Sequence, residues 1–186
     1  MTESLFRRTN NIIGWGVFFI ALLTYSLTVE PTASYWDAGE YISTSAKLQI
    51  GHPPGAPLYQ MMGAVFSLFA TSPEKIALAV NFLSVVSSAF VILFLFWSIT
   101  LLLRKIYDIN DKKSSTNIFL SAIIGSLAYT FSDSFWYNAV ESEVYALAMF
   151  FLAATFWLGL RWEKDFDTER GDKWLVLISF MIGLSF

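Results

Sequence analysis

Between Ile76 and Leu103 the chain carries no charged residue. A helix over that stretch, at about 1.5 Å rise per residue, runs about 42 Å, longer than the roughly 30 Å hydrocarbon core of a bilayer. The run therefore predicts a membrane helix that tilts or projects. Other long apolar runs follow the same pattern, separated by compact polar clusters. Only 15% of the residues are charged and 55% are apolar, whereas soluble domains carry about 25% charged residues. The expected fold class is all-α: a polytopic helical membrane protein.

In chain order, Met1 to Asn11 reads as a polar head with Arg7 and Arg8, and residues 12–29 as a first span. A cleaved signal peptide is the rival reading, but the run exceeds the usual apolar core of roughly 7–15 residues. Residues 30–75 form a long loop with structure of its own. Within it, residues 37–50 predict a short amphipathic helix with Asp37, Glu40, Thr44 and Lys47 on one face. Tyr41, Ile42, Leu48 and Ile50 fall elsewhere and are free to pack. Gly51 stands where a helix cap is expected, and His52-Pro53-Pro54-Gly55 cannot continue a helix. Pro57 suits the first position of a helix too short to span. Thr71-Ser72-Pro73-Glu74 reads as the start of the 76–103 span, where Asn81, Ser84 and Ser88 share a face fit for a helix contact. Further spans are expected over 118–135 and 144–160, and an incomplete one over 174–186. The expectation is an N-terminal part of a longer membrane domain.

Charge orients these segments. The head, the 104–117 loop and the 161–173 loop hold 2, 4 and 4 Lys/Arg, against 2 in the 30–75 loop and none in 132–143. Positive residues remain cytoplasmic, so the N-terminus is expected inside and both acidic loops outside. The outward loops carry Glu30, Asp37, Glu40, Glu74, Asp133, Glu141 and Glu143. Such acids mark proton transfer or cation handling. The basic residues flank spans and form no nucleic-acid face. The absence of cysteine excludes disulfides and thiolate chemistry, and the single histidine excludes an imidazole-rich metal site.

Two outward stretches hold the chemistry, and each has a purely structural reading. Asp37-x-x-Glu40 has capping-box spacing, although a cap can also be a base. His52 is either a satisfied turn residue or a rigidly placed imidazole facing a phosphate or an acceptor. Asn138-x-x-Glu141 repeats the capping spacing, and Trp136, Tyr137 and Tyr145 suit an interfacial aromatic belt. On a continuous helix Glu141 and Glu143 would point to nearly opposite sides.

Trp36-Asp37-Ala38-Gly39-Glu40, then Gly51-His52-Pro53-Pro54-Gly55-Ala56-Pro57-Leu58-Tyr59, then Glu143-Val144-Tyr145-Ala146-Leu147 resemble a widespread family of polytopic membrane glycosyltransferases. The family is of GT-C type and is related to the animal transmembrane protein O-mannosyltransferase. The resemblance implies a GT-C-like bundle in which Asp37, with Glu40 beside it, is catalytic. It implies a substrate-binding set of His52, Pro53, Pro54, Gly55, Trp36, Glu143 and Tyr145, to which position adds Lys47. The implied partners are membrane lipid and a lipid-linked donor, a polyprenyl-phosphate-linked sugar; the acceptor is a protein hydroxyl or a glycan. No resident cofactor is expected, and a divalent metal is left open with no ligand set assigned. The residues fit that chemistry: a carboxylate can take the proton of an attacking hydroxyl, and Lys47 and His52 are the local partners for a leaving phosphate. A bacterial inner membrane is the expected setting. The alternative is a non-catalytic membrane component, either a transporter or a subunit of an envelope assembly.

Overall fold

The computed structural model describes residues 1–185, and among them the regular structure is helical. The helices are α1 (Glu3–Thr28), α2 (Ala38–Lys47), α3 (Pro57–Ser67), α4 (Ile76–Leu103), α5 (Lys112–Thr130), α6 (Asp133–Ala139), α7 (Val144–Asp165) and α8 (Gly171–Leu184). α1, α7 and α4 with its lead-in turn at Pro73–Lys75 are each long and apolar enough to cross a membrane. α5 and α6 add a fourth crossing if the broken pair counts as one span. The protein is thus an all-α polytopic membrane protein.

Boundaries differ from expectation where local chemistry acts. α1 starts at Glu3, so the polar head with Arg7 and Arg8 is helical rather than a tail. α5 starts at Lys112, six residues before the apolar run, because the Asp111 carboxylate accepts from the backbone N–H groups of Lys113 and Ser114. It ends at Thr130, and residues 133–139, expected as loop, form α6. α7 runs past Leu160 to Asp165. α8 begins at Gly171, and the expected end of that helix at Phe186 lies outside the described residues.

The chain divides into two compact units. One comprises residues 1–21, 90–131 and 151–186; its interior includes Phe6, Phe96, Ile118 and Ala122, with the Phe6 and Phe119 rings stacked at 4.8 Å. The other comprises residues 22–89 and 132–150 and holds both acid-bearing stretches.

In this second unit Asn81 is the anchor. Its side-chain amide, fully buried on α4, donates to the carbonyls of Glu30 at 2.6 Å and Thr32 at 3.0 Å. Its carbonyl oxygen accepts from the Ser142 hydroxyl. Asn81 was expected at a helix contact; instead it ties two loops to one helix, satisfying groups that would be costly to bury alone. The Glu30 N–H donates to the Val140 carbonyl at 2.9 Å, and the Trp136 indole donates to the Thr28 hydroxyl at 2.9 Å. These bonds hold the start of the 30–75 loop against the second acid-bearing stretch.

α2 and α3 pack closely because Gly63 of α3 has no side chain. A Cβ there would lie 2.5 Å from the Ser45 hydroxyl. The buried Gln60 amide donates to the Thr44 hydroxyl at 3.2 Å across the same contact. Thr44 is therefore inside, and the expected common face of Asp37, Glu40, Thr44 and Lys47 is split between buried and exposed positions.

Candidate active site

The short helix α2 positions the acids. Asp37 stands at its N-cap, yet the carboxylate takes no backbone N–H. The capping-box reading fails at Glu40 too, because that side chain reaches the turn beyond the helix instead of the cap. α2 also ends earlier than expected. Leu48, at φ 48° and ψ 50°, closes it in the left-handed region, with the Leu48 N–H donating to Ser45 and the Gln49 N–H to Thr44. Gly51 is not the cap. Its missing Cβ would fall 2.9 Å from the Gln60 amide nitrogen and 3.1 Å from Glu40 Oε1. Glycine at 51 lets the Glu40 carboxylate approach the backbone.

That approach fixes His52. Glu40 Oε1 accepts from the His52 backbone N–H at 2.6 Å, and Glu40 Oε2 lies 3.0 Å from Nδ1 of the ring. His52-Pro53-Pro54-Gly55 is a turn closed by the Gly55 N–H on the His52 carbonyl at 2.9 Å, with a cis bond between the prolines. Gly55 takes φ 84°, a conformation other residues resist. With Nδ1 engaged, Nε2 faces Asp37, 3.9 Å from Oδ2. The bond to the Glu40 carboxylate, and then its charge, raise the His52 pKa above the ordinary 6.5. The same two hydrogen bonds, backbone first, lower that of Glu40. Glu40 thus stays ionised while His52 is biased toward imidazolium.

The second stretch adds buried charge. Glu141 and Glu143 are not on a helix: they lie in the turn between α6 and α7, where the Glu143 N–H donates to the Glu141 carbonyl. Both are buried, at 4% and 7% exposure, so the opposed-sides expectation does not apply. Asn138, near the end of α6, donates to the Ser134 carbonyl and caps nothing downstream. Burial, then the charges of Glu141 and Asp37, push Glu143 up to about 6. Glu143 therefore shares an electrostatic neighbourhood with Asp37 and His52. Tyr41 belongs to it too: burial and then the charge of Glu143 raise its phenol. Its ring lies 5.3 Å from that of Tyr59 and 6.2 Å from that of His52.

Of the residues expected at the site, Asp37, Glu40 and His52 come together directly, Glu143 through its field, and Tyr145 as a weaker neighbour of Tyr41. Pro53, Pro54 and Gly55 build the turn that presents His52. Trp36 precedes the cluster at φ 59°, strained for a bulky residue, and is 89% exposed. Lys47 lies exposed in the last turn of α2 and joins none of these contacts. Among the described residues, Asp37, Glu40 and His52 are the group whose ligand atoms lie close enough to hold a metal, all within 4.8 Å. With Glu40 on Nδ1, a cation would meet Asp37 and Nε2, with Glu40 orienting the imidazole from behind.

Comparison with known proteins bears on this cluster. The family described as Protein O-mannosyl-transferase TMEM260 N-terminal domain matches residues 37–186, starting at Asp37 itself. The chain belongs to this family. Similar relatives include the Protein O-mannosyl-transferase tmem260 of Dictyostelium discoideum, 25% identical over 83% of this chain and 18% of that protein. The mouse Protein O-mannosyl-transferase TMEM260 is 24% identical over 91% of this chain and 22% of that protein. The chain thus spans about a fifth of the length of these curated relatives. No solved structure matches it. All three motifs that carry the resemblance lie in the segment matched by the TMEM260 N-terminal domain family, apart from Trp36.

Sequence reasoning missed Tyr41, Tyr59 and Ser142. Tyr41 follows Glu40 directly and was assigned to packing. Tyr59 lies inside the resemblance motif and is buried, with Ser142 and Ser84 beside its hydroxyl. Only the fold brings residue 142 to residue 81, so no local spacing announces it.

Proposed function

We propose that this chain carries the acid-bearing part of a protein O-mannosyl-transferase. In this reading a mannose-like sugar moves from a polyprenyl-phosphate carrier to a serine or threonine hydroxyl. The observation that carries the proposal is the Asp37–Glu40–His52 cluster, in which Glu40 orients His52 and Asp37 is left uncapped and half exposed. Asp37 takes the acceptor hydroxyl's proton as the oxygen bonds to the anomeric carbon. The bond from that carbon to the phosphate oxygen breaks, and its electron pair leaves with the phosphate. His52, biased toward its charged form, donates from Nε2 to that oxygen. Glu143 and Tyr41 offer hydrogen-bond partners to the sugar, and Trp36 and Tyr145 offer aromatic faces. Lys47 adds positive charge at the far end of α2.

A cleft of about 470 Å³ in the same unit, lined by Ser34, Tyr35, Tyr137 and Glu141 among others, suits the acceptor segment. The proposed setting is a GT-C-type domain in a bacterial inner membrane, with the N-terminus cytoplasmic and the cluster on the outer face. The Lys/Arg distribution supports that orientation. The test is a transfer assay with full-length protein, polyprenyl-phosphate mannose and acceptor peptides. Donor-dependent mannose on a peptide serine or threonine is the expected result. Intact donor and unmodified peptide, with folded protein and a competent donor, would overturn the reading.

A further inference from the structure

The unit that lacks the acidic cluster contains its own cleft, of about 390 Å³. It lies among the first turns of α1, the last turns of α4 and α7, and Arg170 just before α8. Five cations line it: Arg7, Arg104, Arg161, Lys164 and Arg170; the acids there are Glu3 and Asp165. Both acids are already engaged. Glu3 pairs with Arg104 at 2.7 Å and more loosely with Lys164 at 3.8 Å. Asp165 accepts from the Trp174 indole at 3.0 Å. Among the described residues Arg7, Arg161 and Arg170 have no ion-pair partner, so the cleft holds surplus positive charge.

Three buried polar atoms of its lining residues also lack hydrogen-bond partners: Nε of Arg161, the side-chain oxygen of Asn10, and Nε1 of Trp97, the last packed against Gly14. Two of these are donors, and an unmet donor in a buried place costs about 1–3 kcal/mol. The Arg161 guanidinium lies against two indoles, 5.3 Å from the Trp174 ring centroid and 5.8 Å from that of Trp157. Trp15, Trp97 and Trp157 supply an apolar wall beside the charge. Surplus cations, unmet donors and an aromatic wall in one cleft match a phosphate group joined to an apolar body.

We infer that this cleft binds a phosphate anion, supplied either by an anionic lipid headgroup or as free phosphate. Basic pockets between membrane helices hold anionic headgroups by the same chemistry. The inference does not depend on the transfer reading, since no residue of the acidic cluster takes part.

The test uses full-length protein in detergent, titrated with short-chain phosphatidylglycerol, matched phosphatidylcholine and inorganic phosphate, with bound ligand read by native mass spectrometry. Phosphatidylglycerol is expected to bind about tenfold more tightly than phosphatidylcholine, whose choline the cations repel. The double variant Arg7→Gln with Arg170→Gln, two exposed positions, is expected to erase most of that preference without moving the thermal midpoint. Inorganic phosphate competing at comparable concentration assigns the site to free phosphate, and weak competition assigns it to the lipid; either supports a phosphate site. Equal binding of the two lipids with no phosphate competition overturns it, as does a double variant that keeps the full preference.

Discussion

Both carboxylate oxygens of Glu40 go to one residue, His52, and that pairing determines how the site titrates. Because the folded-state pKa of His52 is raised, the pairing is fully present below the ordinary value of 6.5 and lost as pH rises through the raised one. His52 is the single histidine, so its ring proton can be followed directly by NMR. Its midpoint is expected above 6.5, and Glu40→Gln is expected to bring it back toward that value. An unchanged midpoint in the variant would remove Glu40 as the partner. Glu143 behaves in the opposite sense. A carboxyl raised from 4.5 to about 6 favours the protonated fold, so its penalty appears as pH rises through that window and persists above it. Glu143→Gln should therefore raise the unfolding midpoint at neutral pH and leave it unchanged well below 4.5. A variant no more stable at neutral pH would show that the Glu143 charge is well compensated.

The pairing of α2 with α3 decides whether α2 can hold those residues in place. Gly63→Ala gains helix propensity of about 1 kcal/mol, but the new methyl collides with Ser45 at 2.5–2.8 Å. Overpacking of this kind costs about 1–3 kcal/mol. The collision should outweigh the propensity gain, lowering the midpoint, and Ser45→Gly in the same chain should restore it. Failure of that rescue would locate the damage elsewhere. The apolar run 76–103, the proline at 57 and the His-Pro-Pro-Gly break were legible in the sequence, because each acts through its own backbone or its own contact with lipid. What was not legible depends on partners far along the chain. Leu48, not Gly51, turns left-handed to close α2, while Gly51 stays bare so that Glu40 and Gln60 can approach. Asp111 is the local exception: it starts α5 well before the apolar run, a cap obscured by the charges of Lys112 and Lys113. The capping spacings at Asp37 and Asn138 misled because each side chain has a different partner or none.

At the scale of the whole molecule, the reading requires both acid-bearing stretches on one side of the membrane. The ten-to-two division of Lys/Arg predicts that cysteines placed at Thr32 and Asn110, in a chain with none of its own, label from opposite sides with an impermeant reagent. Labelling from the same side would contradict the outward site. The two stretches must also stay joined. Asn81 joins them through the Glu30 and Thr32 carbonyls and the Ser142 hydroxyl. Asn81→Ala should lower stability by about 1–3 kcal/mol through those stranded groups and reduce transfer by separating Glu143 from Asp37. Retained activity in a destabilised variant would show that the second stretch is dispensable for catalysis.

The central claim is that Asp37 is the base. Asparagine is as good an N-cap as aspartate, and the Asp37 carboxylate makes no cap bond to lose, so Asp37→Asn leaves α2 in place. The deciding measurement is single-turnover mannose transfer by full-length Asp37→Asn beside the parent protein, at matched folding and donor saturation. A loss of about 10²–10⁴-fold, the usual worth of a general base, is the predicted result. Transfer at the parent rate would contradict the account.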